Sequence, residues 1–316
     1  MVTLQHQRGL GLIEWLISIA ISTVLVGGLV QLYLDTKLHF VAERQINELT
    51  ETARYTVDFL SREIGRAGYR GDLLATPEIR GTAAPRRATL TCSDALWARP
   101  LDEPLVGWDQ NQSFYPCLKV KSTLSQIRGD AITIRSVATQ ATTKHAAGKL
   151  YLRTDYWQAR MFAGADQNHT ANRLITLLPD REVLLSTLYL APAPAPPCRG
   201  PALTGIAQVS LDSRGALRRQ LLVAGIEELQ FQYGMPTAPA AWPVRYYSAQ
   251  AVSDWSRVVS VRFWLLMRAA CEDLTYTNKQ NYELGTLKLA VNDHYRRFLA
   301  SGTVFLRNRA HLFARP

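Results

Sequence analysis

Residues 15–34, WLISIAISTVLVGGLVQLYL, carry no charged side chain. As a helix, an apolar run of about 20 residues spans about 30 Å, the thickness of a bilayer's hydrocarbon core. Beyond it the pattern becomes a stripe: Leu38, Ala42, Ile46, Leu49, Ala53, Val57, Leu60, Ile64 and Ala67 recur at steps of three and four. Glu43, Arg44, Glu48, Glu51, Arg54, Asp58, Arg62, Glu63 and Arg66 fill the remaining positions, so this stretch predicts an amphipathic helix with one face on a core. No proline interrupts residues 10–67. One helix of roughly 85 Å, at 1.5 Å per residue, is therefore expected through both patterns. Gly65, Gly68 and Gly71 mark its end.

After Gly71 the periodicity changes. Short segments rich in β-branched and aromatic residues, 131–138, 149–153, 173–178 and 187–191, read as strands. In the second half, 205–211 and 216–223 flank the turn tetrad DSRG and predict a hairpin. Strands are also expected at 226–233, at 257–268 with Val259, Val261, Phe263 and Leu265 on one face, and at 302–308. Residues 76–115 form a weakly patterned, Pro-containing insertion, and 191–201, APAPAPPCRGP, an extended exposed connection. Antiparallel strands laid across the C-terminal half of the long helix would bury the stripe and one sheet face together, which makes the fold class α+β. The expected organisation is a leader at 1–9, an apolar helix at 10–34, an amphipathic helix at 35–71, a variable head region at 72–201 and a C-terminal β-sheet head at 202–316.

Composition adds little to the fold and something to the surroundings. The chain has 316 residues, 47% of them hydrophobic, enough for a true core. Its net charge of +10 comes from scattered Lys and Arg with no nucleic-acid motif beside them, so it reads as a solvated basic surface. Cys92, Cys117, Cys198 and Cys271 show no CxxC pair and no His at metal-ligand spacing. In an exported domain four cysteines fit two disulfides; Cys92 with Cys117, closing a short loop, and Cys198 with Cys271 is the favoured pairing of three, against buried free thiols. The six histidines, His6, His39, His145, His169, His294 and His311, are dispersed, and no hydrolase, zinc-protease, phosphate-loop or dinucleotide motif is present. DQNQ at 109–112 and GADQNH at 164–169 offer oxygen ligands but read as polar turns. Trp242, Trp255 and Trp264 read as core residues. No enzyme and no cofactor is expected.

The leader MVTLQHQRG carries Arg8 and no acid, which places it in the cytoplasm and everything after the apolar run outside. A secretory signal would have a shorter apolar core with its small residues behind it, whereas here Gly9 stands in front. Cleavage after Gly9 would remove the leader and leave the apolar helix on the mature chain. Glu14 remains as the single acid near the start of that helix. A carboxylate at mid-bilayer costs about 2.5 to 3.5 kcal/mol, less near the interface, and is usually functional.

A basic leader ending in Gly, then an apolar helix with Glu at the fifth mature position, resembles the class III signal of type IV pilins and type II secretion pseudopilins. The resemblance implies a type IV pilin-like fold, cutting between Gly9 and Leu10 by prepilin peptidase, and N-methylation of Leu10, which stands where Phe is usual. It also implies that Glu14 meets the α-amino group of another subunit and sets register in low dielectric. Gly27-Gly28 stands where major pilins carry a helix-breaking Pro. The order of the C-terminal hairpin, VAGIEELQFQYG, VVSVRFWLLMRA and FLASGTVFLRNR is similar to PilW-type minor pilins, and J-type pseudopilins share its middle part. That likeness implies a minor pilin in a complex that primes or caps the pilus, serving twitching motility and adhesion. Its implied partners are other minor pilins, the major pilin, a large tip adhesin or assembly protein, prepilin peptidase, the inner-membrane assembly platform and the membrane itself. Its implied location is a single-pass inner-membrane protein with a periplasmic head, later the pilus tip. The alternatives are a J-type pseudopilin, or a tip-located adhesive or DNA-binding module using residues 76–201.

Overall fold

The computed structural model describes residues 11–73, 78–83, 97–110, 129–155, 157–166, 178–196, 198, 200–237 and 244–310. Helix α1, Leu12–Gly65, contains both sequence patterns and passes through Gly27-Gly28 as continuous helix. Two compact units divide the chain between Glu48 and Leu49.

In the first unit, α1 is long and apolar enough to cross a membrane, and none of its most apolar stretch is buried. Leu12, Val24 and Tyr33 are among its exposed large side chains. In the second unit the stripe goes inside: Leu49, Ala53, Leu60, Ile64 and Ala67 are buried, Leu60 and Ile64 completely. Complete burial of a Leu or Ile side chain stabilises by about 1.5 to 3 kcal/mol. After Gly65 the chain turns, and the turn closes at Gly68, whose φ of 74° is costly for any residue with a Cβ. The Gly68 amide then leaves the helix and donates to the Arg135 carbonyl at 3.1 Å.

Strands follow in the order β1 Ile79–Arg80, β2 Leu105–Trp108, β3 Ala131–Val137, β4 Leu150–Thr154, β5 Ala159–Ala163, β6 Asp180–Pro192, β7 Thr204–Leu211, β8 Leu217–Ala224, β9 Ile226–Pro236, β10 Val244–Tyr247, β11 Ser260–Arg268, β12 Asn281–Leu284, β13 Leu287–Ala290 and β14 Arg297–Phe305. Among the described residues β1 to β8 form one sheet, in which β6 joins β4, β3 and β7. A second sheet runs β10-β9-β11-β14, and β12 and β13 pair as a hairpin. Pairing is antiparallel as expected, except that β1 lies parallel to β5. The expected strand at 173–178 falls outside the described residues except for Leu178, a bend. The strand expected from residue 257 starts at Ser260, because Asp254 caps a 3-10 turn at Trp255–Arg257 by accepting from the Ser256 amide. The last expected strand begins earlier, at Arg297, and gives way after Phe305 to a helical turn at Arg307–Ala310.

Strand alternation sorts side chains between two cores. Ile132, Ile134, Leu188, Leu190 and Ile206 join the α1 stripe and Val261, Phe263, Leu265 and Met267 of β11 in one cluster. Their neighbours Ala131, Val137, Val183, Leu185, Tyr189, Ala207 and Val209 point the other way, into a cluster closed by Trp97, Ala98 and Leu101. The Pro-rich stretch joins paired strands: Ala193 donates to the Leu203 carbonyl at 2.9 Å, and β6 and β7 pair back to Pro192 with Thr204. It is the connection of a hairpin within one sheet, pinned by the Cys198–Cys271 disulfide.

Candidate functional site

Gly11 precedes the first turn of α1, and Glu14 is the third helical residue. The Gly11 amide donates to Glu14 Oε2 at 2.9 Å, while the Glu14 and Trp15 amides donate to the Gly11 carbonyl. This is the returning half of a capping box, and it also places a negative group at the positive end of the helix. One turn on, Ser18 Oγ donates to the Glu14 carbonyl at 2.7 Å. Glu14, Ser18, Ser22 and Val26 line one crease of the helix together with Trp15, Ile19 and Thr23. The carboxylate therefore heads a narrow seam of small polar residues on an otherwise apolar, exposed surface. Small residues let another helix come close, and hydroxyls bonded to their own helix add no unmet donor in an apolar setting. Gly9 and Leu10, on either side of the expected cleavage point, lie outside the described residues.

The end of the chain holds the buried part of the helix in place. Asn308 Nδ2 donates to the carbonyls of Gly65 and Ala67 at 3.2 and 3.3 Å, two of the acceptors that a helix end leaves open. The Leu306 amide donates to Val259 at 2.8 Å and its side chain is buried. Gly302 sits opposite Phe263 in the β11–β14 register, and a Cβ there would overlap the Phe263 ring. The terminal GTVFLRN thus works as a clasp, with Gly for the aromatic ring, Leu for the core and Asn for the helix. That role for Asn308 was not legible from sequence, because a lone Asn after a strand has no periodic signature.

Of the cysteines, Cys198 and Cys271 form the expected disulfide, with Cα atoms 5.8 Å apart. Cys92 and Cys117 lie outside the described residues. Beside the disulfide, Arg268 Nη2 donates to the Pro201 carbonyl at 3.2 Å and the guanidinium lies 4.5 Å from the Tyr295 ring centre. Arg297, almost wholly buried, is clamped by Glu227 at 2.6 Å and Asp293 at 2.7 Å. Burial opposes its charge, but the two carboxylates more than offset that and raise its pKa.

The described parts of the two polar turns serve the fold. Asp109 accepts from the Ala249 and Gln250 amides at 2.9 Å each, and Asp166 accepts from the Thr82 hydroxyl at 2.7 Å. Among the described residues no three His, Cys, Asp or Glu side chains converge as metal ligands. His145 pairs with Asp180 at 3.0 Å, and His294 Nδ1 lies 2.6 Å from the Tyr276 carbonyl oxygen. Trp255 packs edge-on to Tyr233 against the main core, and Trp264 packs under the β12–β13 hairpin; Trp242 lies outside the described residues. The sequence reading missed the buried acids Asp130, Asp180 and Glu228, and Asp130 has the most perturbed surroundings. Asp130 accepts from the Phe231 amide at 2.7 Å and the Gln110 amide at 3.2 Å, and its pKa is pushed up to about 7, first by burial.

The family model for Type IV Pilus-assembly protein W matches residues 201–308, ending at the clasp residue Asn308. The model for the prokaryotic N-terminal methylation motif matches residues 4–30, which contain Gly9, Leu10 and Glu14. No curated protein and no solved structure matches the chain. Both matched families are structural components of pili. A prepilin-type signal running into an exposed apolar helix marks a membrane-anchored pilin. With one match at each end of a chain that folds as a long apolar helix followed by β-sheets, the protein is a type IV pilin of the PilW type.

Proposed function

We propose that this protein is a minor pilin, cut between Gly9 and Leu10, methylated on Leu10, and built into a minor-pilin complex that primes or caps the pilus. One observation carries the reading: the N-terminal part of α1 leaves its apolar surface wholly exposed, with Glu14 at its head, while from Leu49 onward the same helix buries its apolar stripe. An apolar surface of that size needs another apolar phase. The membrane supplies one before assembly, and the packed helices of other pilins supply one afterwards.

Glu14 then has two successive tasks. In the single chain, Oε2 accepts the Gly11 amide and secures the first helical turn. In the assembled fibre its negative charge meets the α-ammonium that cleavage exposes on a neighbour's Leu10. Two opposite unit charges 4 Å apart attract by about 4 kcal/mol at an effective dielectric near 20 and by far less in water, so the contact rewards the correct stagger inside the bundle. The head faces the periplasm during assembly and the tip of the fibre afterwards, and its partners are the other minor pilins, the major pilin and a large tip protein.

The reading is tested by deleting the gene and by capturing the tagged full-length protein from membranes. Loss of surface pili, with other minor pilins in the captured complex, is expected. Normal pili together with failed protein secretion would assign the chain to a secretion pseudopilus instead.

A further inference from the structure

The strand register builds a row of like charges that the fold itself does not need. Arg80 of β1 pairs with Arg160 of β5, Arg160 with Arg153 of β4, and Arg153 with Asp180 of β6. Directly paired residues project from the same face of a sheet, so three guanidinium groups stand side by side, and like charges in that position destabilise a sheet. Only the innermost is fully answered: Arg153 donates to both oxygens of Asp180, at 2.6 and 2.7 Å. Arg80 is exposed and only loosely paired with Glu78, at 3.6 Å.

This row lines a cleft of about 470 Å³ with Glu78, Asp155, Gln158 and Trp157. Trp157 is 69% exposed. It is held there by a tight turn, in which Asp155 Oδ1 accepts the Trp157 amide at 2.6 Å and the Gln158 amide at 2.5 Å. A large aromatic ring displayed on a fixed turn beside arginines that the fold only loosely pairs is a recognition feature, because burial would otherwise favour it inside.

We infer that this cleft binds a carboxylated sugar residue of the uronic or sialic acid class. Arg80 and Arg160 offer planar donors matched to one carboxylate. Trp157 offers a flat face for the apolar side of a pyranose ring. Glu78 and Asp155 supply acceptors, which hydroxyl groups use and phosphodiesters do not. That last pair selects against nucleic acid: a strand stacked on Trp157 would run its further phosphates past two carboxylates, whereas a sugar acid presents one charge and several hydroxyl donors. The inference is independent of the assembly role, since the cleft lies wholly in the head.

The test is calorimetric titration of the full-length protein in neutral detergent with trigalacturonate and with sialyllactose, which separate the two sugar sources. Uncharged trigalactose and a ten-residue thymidine oligonucleotide are titrated in parallel. Saturable binding of at least one acidic sugar is expected, with trigalactose at least tenfold weaker. Trp157→Ala and Arg160→Gln should each weaken binding at least tenfold; Trp157→Ala should leave the unfolding midpoint unchanged, because the side chain is exposed. Absence of binding by both acidic sugars overturns the inference. So does tighter binding of the oligonucleotide, or acidic-sugar binding that survives Trp157→Ala.

Discussion

Asp130→Asn isolates the one strongly perturbed carboxylate among the described residues of the head. Asp130 is 3% exposed and sits between β9 and the end of β2, where its two oxygens accept the Phe231 and Gln110 amides. Burial raises its pKa, the two amides lower it, and the neighbouring Asp109 and Glu228 raise it again, leaving it at about 7 against an ordinary 3.8. The folded state thus holds a proton that the unfolded chain releases near pH 4. Stability from this group is fully present below about pH 4, declines as pH rises, and is lost above about pH 7. A gap of roughly 3 pH units corresponds to about 4 kcal/mol. Asparagine cannot ionise, keeps one oxygen for the Phe231 amide, and forfeits the Gln110 contact for about 1 kcal/mol. Urea unfolding of both proteins across pH 4 to 8.5, followed by tryptophan fluorescence, separates this acid from all other titrations, which cancel in the difference. The variant should start slightly less stable at pH 4 and end more stable at pH 8.5, a swing of about 4 kcal/mol. A difference that stays flat across that range would refute the reasoning, because Asp130 would then titrate as an ordinary exposed acid.

Replacing both Cys198 and Cys271 by Ser opens a loop spanning 73 residues of sequence separation, so unfolding of the head should become easier by about 4 kcal/mol; reductant should lower the wild-type melting temperature to match the variant. Asn308→Ala should remove about 1 to 2 kcal/mol and speed amide exchange in the last turn of α1, and Asn308→Asp should be worse, since a carboxylate would face two carbonyls at the negative end of the helix. Glu14→Ala should leave leader cleavage intact and reduce recovery in sheared pili at least tenfold; equal recovery would mean that the carboxylate only caps its own helix.

What sequence revealed and what it hid have different physical origins. The stripe from Leu49 to Ala67 was legible because a helix repeats every 3.6 residues and burial follows that repeat. Likewise Val261, Phe263 and Leu265 announce their buried face by simple alternation. The N-terminal motif was legible because it is a linear pattern within residues 4–30 that needs no tertiary contact to be recognised. The row Arg80, Arg160, Arg153 and Asp180 depends on the register of four strands, including the parallel β1, and register is not written in any one segment. Asp130 and Asn308 were hidden for a related reason: each bonds to backbone groups between 100 and 250 positions away, and backbone groups have no sequence identity to search for.

The central claim is that residues 1–9 are a prepilin leader and that the helix beginning at Leu10 belongs to a pilin. Intact-mass spectrometry of the protein extracted from membranes tests it most directly. A mature chain that begins at Leu10 and carries one added methyl group on its α-amine is expected. A chain that retains residues 1–9, or one cut behind the apolar run, would contradict it.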